Sequence, residues 1–252
     1  MTTTIPPTTA VSSRAVKASK IYGDAAADTE VRALDGVDIT FAHGVYSAIM
    51  GPSGSGKSTL LHCIAGLDTL TSGQVFLGDL EISALSEKEL TQVRRDRIGF
   101  VFQAYNLIPT LTALENITLP SALAGRHPDQ EWLDHVIDIV GLRPRLRHRP
   151  SELSGGQQQR VAVARALAGR PDIIFADEPT GNLDSRASNE ILEFMRNAVQ
   201  EFGQTIVMVT HDPNAASYAS RVVFLADGKV TDELANPNPD TILDKMRQLG
   251  AV

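Results

Sequence analysis

One nine-residue stretch restricts the fold of this 252-residue chain more than anything else in it: Gly51, Pro52, Ser53, Gly54, Ser55, Gly56, Lys57, Ser58 and Thr59 in succession. It follows the apolar run 45–50 and opens a helical pattern at 57–65 that Gly66 closes. Glycines at these spacings let the backbone curl until successive N–H groups converge on phosphate oxygens, and the helix N-terminus adds partial positive charge. The pattern is that of a P-loop, set after a strand and before a helix as the mechanism requires. Lys57 is expected to reach the β- and γ-phosphates, Ser58 to ligate Mg2+, and Thr59 to lie near the α-phosphate. The stretch therefore predicts a parallel α/β core that binds a nucleoside triphosphate.

The surrounding text agrees. From 154 onward helix and strand alternate strictly: helix 155–168, strand 173–176, helix 185–200, and strands 205–209 and 222–226. Such alternation means a parallel sheet flanked by helices. Ahead of it come β-branched runs at 15–21, 37–42 and 45–50, spaced as in an antiparallel meander. A helix at 86–96 follows, with Ser86 and Glu89 spaced as a capping box, and then a strand at 98–102. The section from about 104 to 165 reads as a mostly helical insert, with helices near 112–123 and 130–140. Residues 1–13, rich in Thr, Pro and Ser, read as a disordered leader, and 236–252 as a tail helix. A length of 252 residues, at roughly 150 per domain, suits a large core with a smaller appendage.

Composition removes several alternatives. The net charge of −7 argues against nucleic acid or an anionic lipid surface as the main partner. The run from Arg143 to Arg149 is basic but short, and reads as a solvated connector. The single cysteine, Cys63, excludes an internal disulfide, fits a reducing compartment, and is expected in the core of the helix after the loop. His43, His62, His127, His135 and His148 show no metal-ligand spacing with Cys63 or one another. The longest stretch free of Asp, Glu, Lys and Arg, 98–114, contains Gln103, Asn106 and Pro109, so it does not read as a membrane span.

Two further motifs carry chemistry. The apolar strand Ile173-Ile-Phe-Ala ends in Asp177 and Glu178. Downstream of a P-loop, such a strand delivers Asp177 to the Mg2+ shell and Glu178 to the attacking water. Leu153-Ser154-Gly155-Gly156-Gln157 precedes a helix and forms a second potential anion site. This pentapeptide resembles the signature of the ATP-binding-cassette (ABC) superfamily. Its companions stand in order: Tyr22, the P-loop, Gln103, Asp177-Glu178, Gly181-Asn182-Leu183-Asp184 and His211. The likeness covers about 15–235.

The resemblance implies a RecA-like P-loop NTPase core in a domain at 14–235, with an N-terminal antiparallel β subdomain and an inserted α-helical subdomain. It implies Tyr22 as the aromatic stacked on adenine and Gln103 as a residue that touches Mg2+ or water and senses the partner. His211 is then the switch histidine at the γ-phosphate. It places Ser154, Gly155, Gly156 and Gln157, with Asp184, against the nucleotide of a second copy, so that two cassettes close over two ATP molecules. Lys57, Gln103, Glu178 and His211 are the expected catalytic set.

Residues 94–119 together with 181–185 resemble more narrowly the ATPases of the macrolide-exporter, lipoprotein-release and cell-division group, which includes haem exporters. The group implies an export ATPase dimer under a separate transmembrane permease at the cytoplasmic face of a bacterial membrane, touching the membrane only through that permease. Haem, drugs, peptides and lipoproteins are the substrates implied. A signalling ATPase that regulates a cell-wall hydrolase without transport is the alternative. The uncharged segment 104–111 either packs on its own domain or is kept apolar for the permease.

Overall fold

All five side chains of β3 (Tyr46–Met50) are buried, and the arrangement around it explains why. The computed structural model describes residues 10–23 and 29–250. In it, β3 lies between β8 (Ile206–Val209) and β9 (Arg221–Ala226). Beyond β8 come β7 (Ile173–Asp177) and β6 (Ile98–Phe102), and beyond β9 comes β10 (Lys229–Ala235). The first five strands run parallel, whereas β10 is antiparallel to β9.

Successive side chains of a strand point to opposite faces, so each parallel strand feeds two cores. Ala48, Met50, Ala176, Met208 and Phe224 enter one core, against the helices α3 (Ala113–Leu123), α4 (Gln130–Ile139), α5 (Gly155–Ala168) and α6 (Ser185–Phe202). Ile49, Phe175, Val207, Val223 and Leu225 enter the other, against α1 (Lys57–Ile64) and a second sheet. That sheet is antiparallel, in the order β2 (Val31–Ala42), β1 (Val11–Tyr22), β4 (Ser72–Leu77), β5 (Leu80–Glu81).

The expected α/β core and antiparallel sheet are present, with three adjustments. The run at 45–50 is not the third strand of a meander. Burial on both faces puts β3 in the parallel sheet, and β4 takes its place beside β1. The leader ends sooner than residue 13: Val11 pairs with Ala42, and Ser13, fully buried, with Phe41 and Leu77. Residues 1–9 lie outside the described part of the chain. Third, the expected insert limit at 165 falls inside α5, and Ile117, Leu133, Val136 and Ile137 of the insert share the core of Met50 and Met208.

The helix starts follow their caps. Ser86 and Glu89 form the expected capping box of α2 (Glu87–Arg97), and Thr112 with Glu115 forms another on α3. The tail helix is shorter than read: Asn238 caps α8 (Pro239–Gln248), which buries Ile242 and Met246 beside α7 (Pro213–Ala216). Among the described residues, no helix is long and apolar enough to cross a membrane.

The segment after β6 is fixed by one buried side chain. Asn116, with no exposed surface, accepts the Ile108 N–H at 2.8 Å. Its amide donates to the carbonyls of Ile108, Leu111 and Thr112 at 3.2, 3.2 and 3.0 Å. Arg165 of α5 holds the carbonyls of Tyr105 and Asn106, two residues with positive φ. Leu107 packs on the core, while Ile108 is 39% exposed. Asn116→Ala is expected to orphan those backbone groups and to lower stability by about 2–4 kcal/mol in chemical denaturation.

Candidate nucleotide site

Parallel strands end on the same side, and loops at their carboxyl ends form the crevice where such sheets bind ligands. Residues 51–56 leave β3, Gln103 leaves β6, Asp177 and Glu178 leave β7, and Thr210 and His211 leave β8. Ten of the expected functional residues, the six of 51–56 with Gln103, Asp177, Glu178 and His211, stand at this edge because of strand direction.

The glycine-rich loop threads a narrow passage. A Cβ on Gly51, whose φ is +151°, would lie 1.9 Å from the Leu225 carbonyl oxygen, and one on Gly56 would lie 2.2 Å from that of Ala33. Ser53 and Gly54 are exposed at its crest, while Ser55 is 4% exposed and its Oγ has no hydrogen-bond partner among the described residues. Lys57 is folded into the loop, its ammonium donating to the carbonyls of Gly51 and Pro52 at 3.0 and 2.8 Å. Burial lowers its pKa despite the nearby Glu178 and Asp177. A buried cation at the start of α1, where the helix adds partial positive charge, makes an anion site.

Next to it the Ser58 hydroxyl donates to Asp177 Oδ1 at 3.1 Å. His62 Nε2 stands 3.3 Å from Asp177 Oδ2, and that hydrogen bond raises the imidazole pKa. The hydroxyl and the carboxylate are hard oxygen donors of the kind Mg2+ takes, supplemented by phosphate and water. Among the described residues no group of three or more His, Cys, Asp or Glu could hold a metal unaided. The pair fits a cation shared with phosphates.

Glu178 sits in the left-handed region (φ +45°), its N–H bonded to the Val209 carbonyl. This conformation costs a non-glycine residue about 1 kcal/mol and turns the side chain out of the strand. His211 Nδ1 lies 3.0 Å from Glu178 Oε1. Gln103 is tied elsewhere: its amide donates to Asn182 Oδ1 at 3.1 Å, and Asn182 donates back to the Gln103 carbonyl at 3.0 Å. It therefore contacts neither Ser58 nor Asp177 here, although both were expected to share a metal with it. Tyr22 is 41% exposed and its hydroxyl donates to Asp68.

The remaining expected residues gather in a different cleft, of about 360 Å3, lined by Ser154, Gly155, Gly156, Gln157 and Asp184 among others. Ser154 and Asp184 cap helices. Ser154 accepts the Gln157 N–H in a reciprocal box on α5, and Asp184 accepts the Ala187 N–H on α6 at 2.8 Å. Two positive helix ends thus face one cleft. Among the described residues, no hydrogen bond or ion pair links this group to residues 51–59, 177 or 178.

Sequence reasoning missed several side chains. His62 was dismissed for want of metal spacing, yet it lies four residues after Ser58 on α1, so both face the same carboxylate. Gln159, fully buried, donates to the carbonyls of Phe102 and Pro179 and so joins α5 to the ends of β6 and β7. No spacing rule marks it within its run of three glutamines. Asp68 and Asn182 belong to the same class of partners visible only in three dimensions.

Comparison with known proteins points one way. Residues 34–181 match the family model described as ABC transporter. The chain is 47% identical over 210 residues to an ABC transporter ATP-binding protein of Methanocaldococcus jannaschii, MJ0796, covering 81% of this chain and 89% of that one. A dimeric post-hydrolysis structure of that cassette, bound to ADP and Pi, overlays with a TM-score of 0.80 over 90% of this chain and 99% of that one. The lipoprotein-releasing system ATP-binding protein LolD of Legionella pneumophila (strain Lens) is 44% identical over 216 residues, covering 85% and 94%. The macrolide export ATP-binding/permease protein MacB of Marinobacter nauticus is 43% identical over 222 residues, covering 87% of this chain but 34% of its own length.

Two glycine substitutions separate geometry from strain in the loop. Gly51→Ala should drive a Cβ into the Leu225 carbonyl and abolish binding of a fluorescent ATP analogue. Gly54→Ala, at φ +78° with nothing within 4 Å, should keep binding and cost only about 1 kcal/mol of stability.

Proposed function

The chain belongs to the ABC transporter family as an ATP-hydrolysing cassette of the MacB- and LolD-like group, and on that premise we propose that it powers export as a homodimer beneath a separate transmembrane permease at the cytoplasmic face of the membrane. The substrate class follows the group: haem, a drug, a peptide or a lipoprotein. The dimeric M. jannaschii cassette and the fusion of cassette and permease in the name of MacB support this reading.

In this reading the amides of residues 51–56 and the Lys57 ammonium bind the β- and γ-phosphates, with Thr59 near the α-phosphate. Tyr22 carries the adenine. Ser58 and Asp177 hold Mg2+, which when bound draws charge off the phosphates. Asp177 is kept in orientation by Ser58 on one oxygen and His62 on the other. Glu178 takes the proton from the attacking water, and His211, bonded to the same carboxylate, orients it and reaches the γ-phosphate. Gln103 reports the state of this site to the surface beside it. There Phe100, Phe102, Leu119 and Leu123 line an apolar groove suited to the permease.

The observation that carries the reading is the separation of the two clefts within one chain. Among the described residues the crest of the phosphate loop, Ser53 and Gly54, is exposed, and the Ser154–Asp184 cleft has two helix N-termini but no phosphate loop. Two copies facing each other complete both.

Glu178→Gln is expected to reduce steady-state hydrolysis at least 100-fold while keeping ATP affinity within about threefold. Size-exclusion chromatography with ATP should show it as a dimer. Near-parental turnover would move the base elsewhere.

Mixing two inactive variants tests the shared site. Lys57→Ala should lose nucleotide affinity, whereas Ser154→Ala should bind ATP yet hydrolyse it slowly. A heterodimer of the two holds one intact composite site, so phosphate release should partly recover on mixing. Additive inactivity at every ratio counts against composite sites.

A further inference from the structure

The covalent frame of a nucleotide limits how far its base can stand from its phosphates, so the residues that receive them need a matching separation. Here those residues stand on different layers. Tyr22 ends β1 of the antiparallel sheet, and the phosphate loop opens α1. The turn that closes α1 supplies a connection: the N–H groups of Leu67 and Asp68 both bond to the His62 carbonyl, which anchors Asp68 to the helix.

Asp68 reaches from there to β1 with both oxygens. Oδ2 accepts the Tyr22 hydroxyl at 2.6 Å, and Oδ1 accepts the Lys20 ammonium at 2.7 Å. Lys20, 9% exposed, also donates to the Thr69 carbonyl at 2.6 Å, and its ammonium stands 4.8 Å from the centre of the Tyr22 ring. Lys20 and Tyr22 share one face of the strand because they are two residues apart. The three side chains close a triangle. The ring is held at its hydroxyl and covered by a cation on one side, while 41% of the residue stays open to solvent.

Protonation states reinforce the triangle. Burial works against ionisation of Asp68, but the bonds from Lys20, Tyr22 and the Thr69 N–H outweigh it and keep the carboxyl below its ordinary range. Burial and the Asp68 carboxylate push the Tyr22 phenol up to about 12, so it remains a donor at neutral pH.

We infer that Asp68 is a positioning residue that sets the Tyr22 ring, with Lys20 on its covered face, as a platform for a purine base at a fixed distance from the phosphate loop. The inference rests on the reading of Tyr22 as the base-stacking residue. Its consequence is that Asp68 governs affinity for the base and leaves affinity for the phosphates alone.

Calorimetric titration with ATP and with inorganic tripolyphosphate, which lacks the base, tests this in the full chain. Tyr22→Ala should weaken ATP roughly tenfold or more. Tyr22→Phe, which keeps the ring but loses the tether, and Asp68→Ala should each weaken ATP roughly three- to tenfold. The corresponding KM for ATP should rise by more than kcat falls. Adding Asp68→Ala to Tyr22→Phe should weaken ATP by less than the two single losses combined, since the bond between the two side chains is already gone. Tripolyphosphate should bind all variants as it binds the parent. Parental ATP affinity in Tyr22→Ala would remove the stacking reading and the inference with it. Weak binding by Tyr22→Ala with parental binding by Tyr22→Phe and Asp68→Ala overturns the inference alone. So does an equal loss of tripolyphosphate in Asp68→Ala, which would make the carboxylate a support of the phosphate loop.

Discussion

Parallel pairing of β3 with β8 and β9 is the constraint on which the rest of the molecule depends. Parallel strands cannot be joined by tight turns, so each connection must cross a face of the sheet, and helices end up on both sides. That burial demands the apolar runs seen at 173–176 and 206–209 and the run at 46–50, in which Ser47 is buried among apolar neighbours. It also leaves only one place for polar chemistry, the carboxyl edge where the chain turns out of the sheet. Lys57, Asp177, Glu178 and His211 are close together because nowhere else in the core could accept them.

The antiparallel sheet has a different part in the same design. It covers the second core, against Ile49, Phe175 and Val207. Its first strand also delivers Tyr22 to the side of α1. In the proposed reading the two sheets supply opposite ends of one elongated ligand, and the turn at 66–68 ties β1 to α1. On the other core, Gln159 and Arg165 make α5 the common support of three loops, those after β6 and β7 and the Ser154 cap. The helix that Ser154 caps therefore also braces the edge that carries Gln103, Asp177 and Glu178.

Most of the residues that the structure gathers at the candidate site were legible in the sequence, because devices that bind phosphate are local. Gly51 to Thr59 act through consecutive amides and a helix start, and that leaves a contiguous trace. The Asp177-Glu178 pair and the Ser154 cap are likewise local devices. What sequence reading lost was set by pairing across distance. The strand at 72–77 was overlooked because Ser72, Gly73 and Gln74 carry no apolar alternation, and 45–50 was then misplaced to fill the meander. The hairpin of β9 and β10 had an available signal in Asp227-Gly228, whose positive φ values make the turn. No such trace exists for Asp68, Gln159 or Asn116. Each bonds to groups that only the fold brings near, and a polar residue awaiting distant partners looks like any other.

The clamp of Asn116 on residues 108–112 has a mechanical meaning. A loop free to bend is a compliant spring, which absorbs a displacement applied at one end and delivers little at the other. Four hydrogen bonds to one immobile amide shorten the free length and raise the stiffness. Ile108 is thereby fixed to α3, and a load placed on it passes to that helix. The segment acts as a rigid crank whose bearing is a single asparagine.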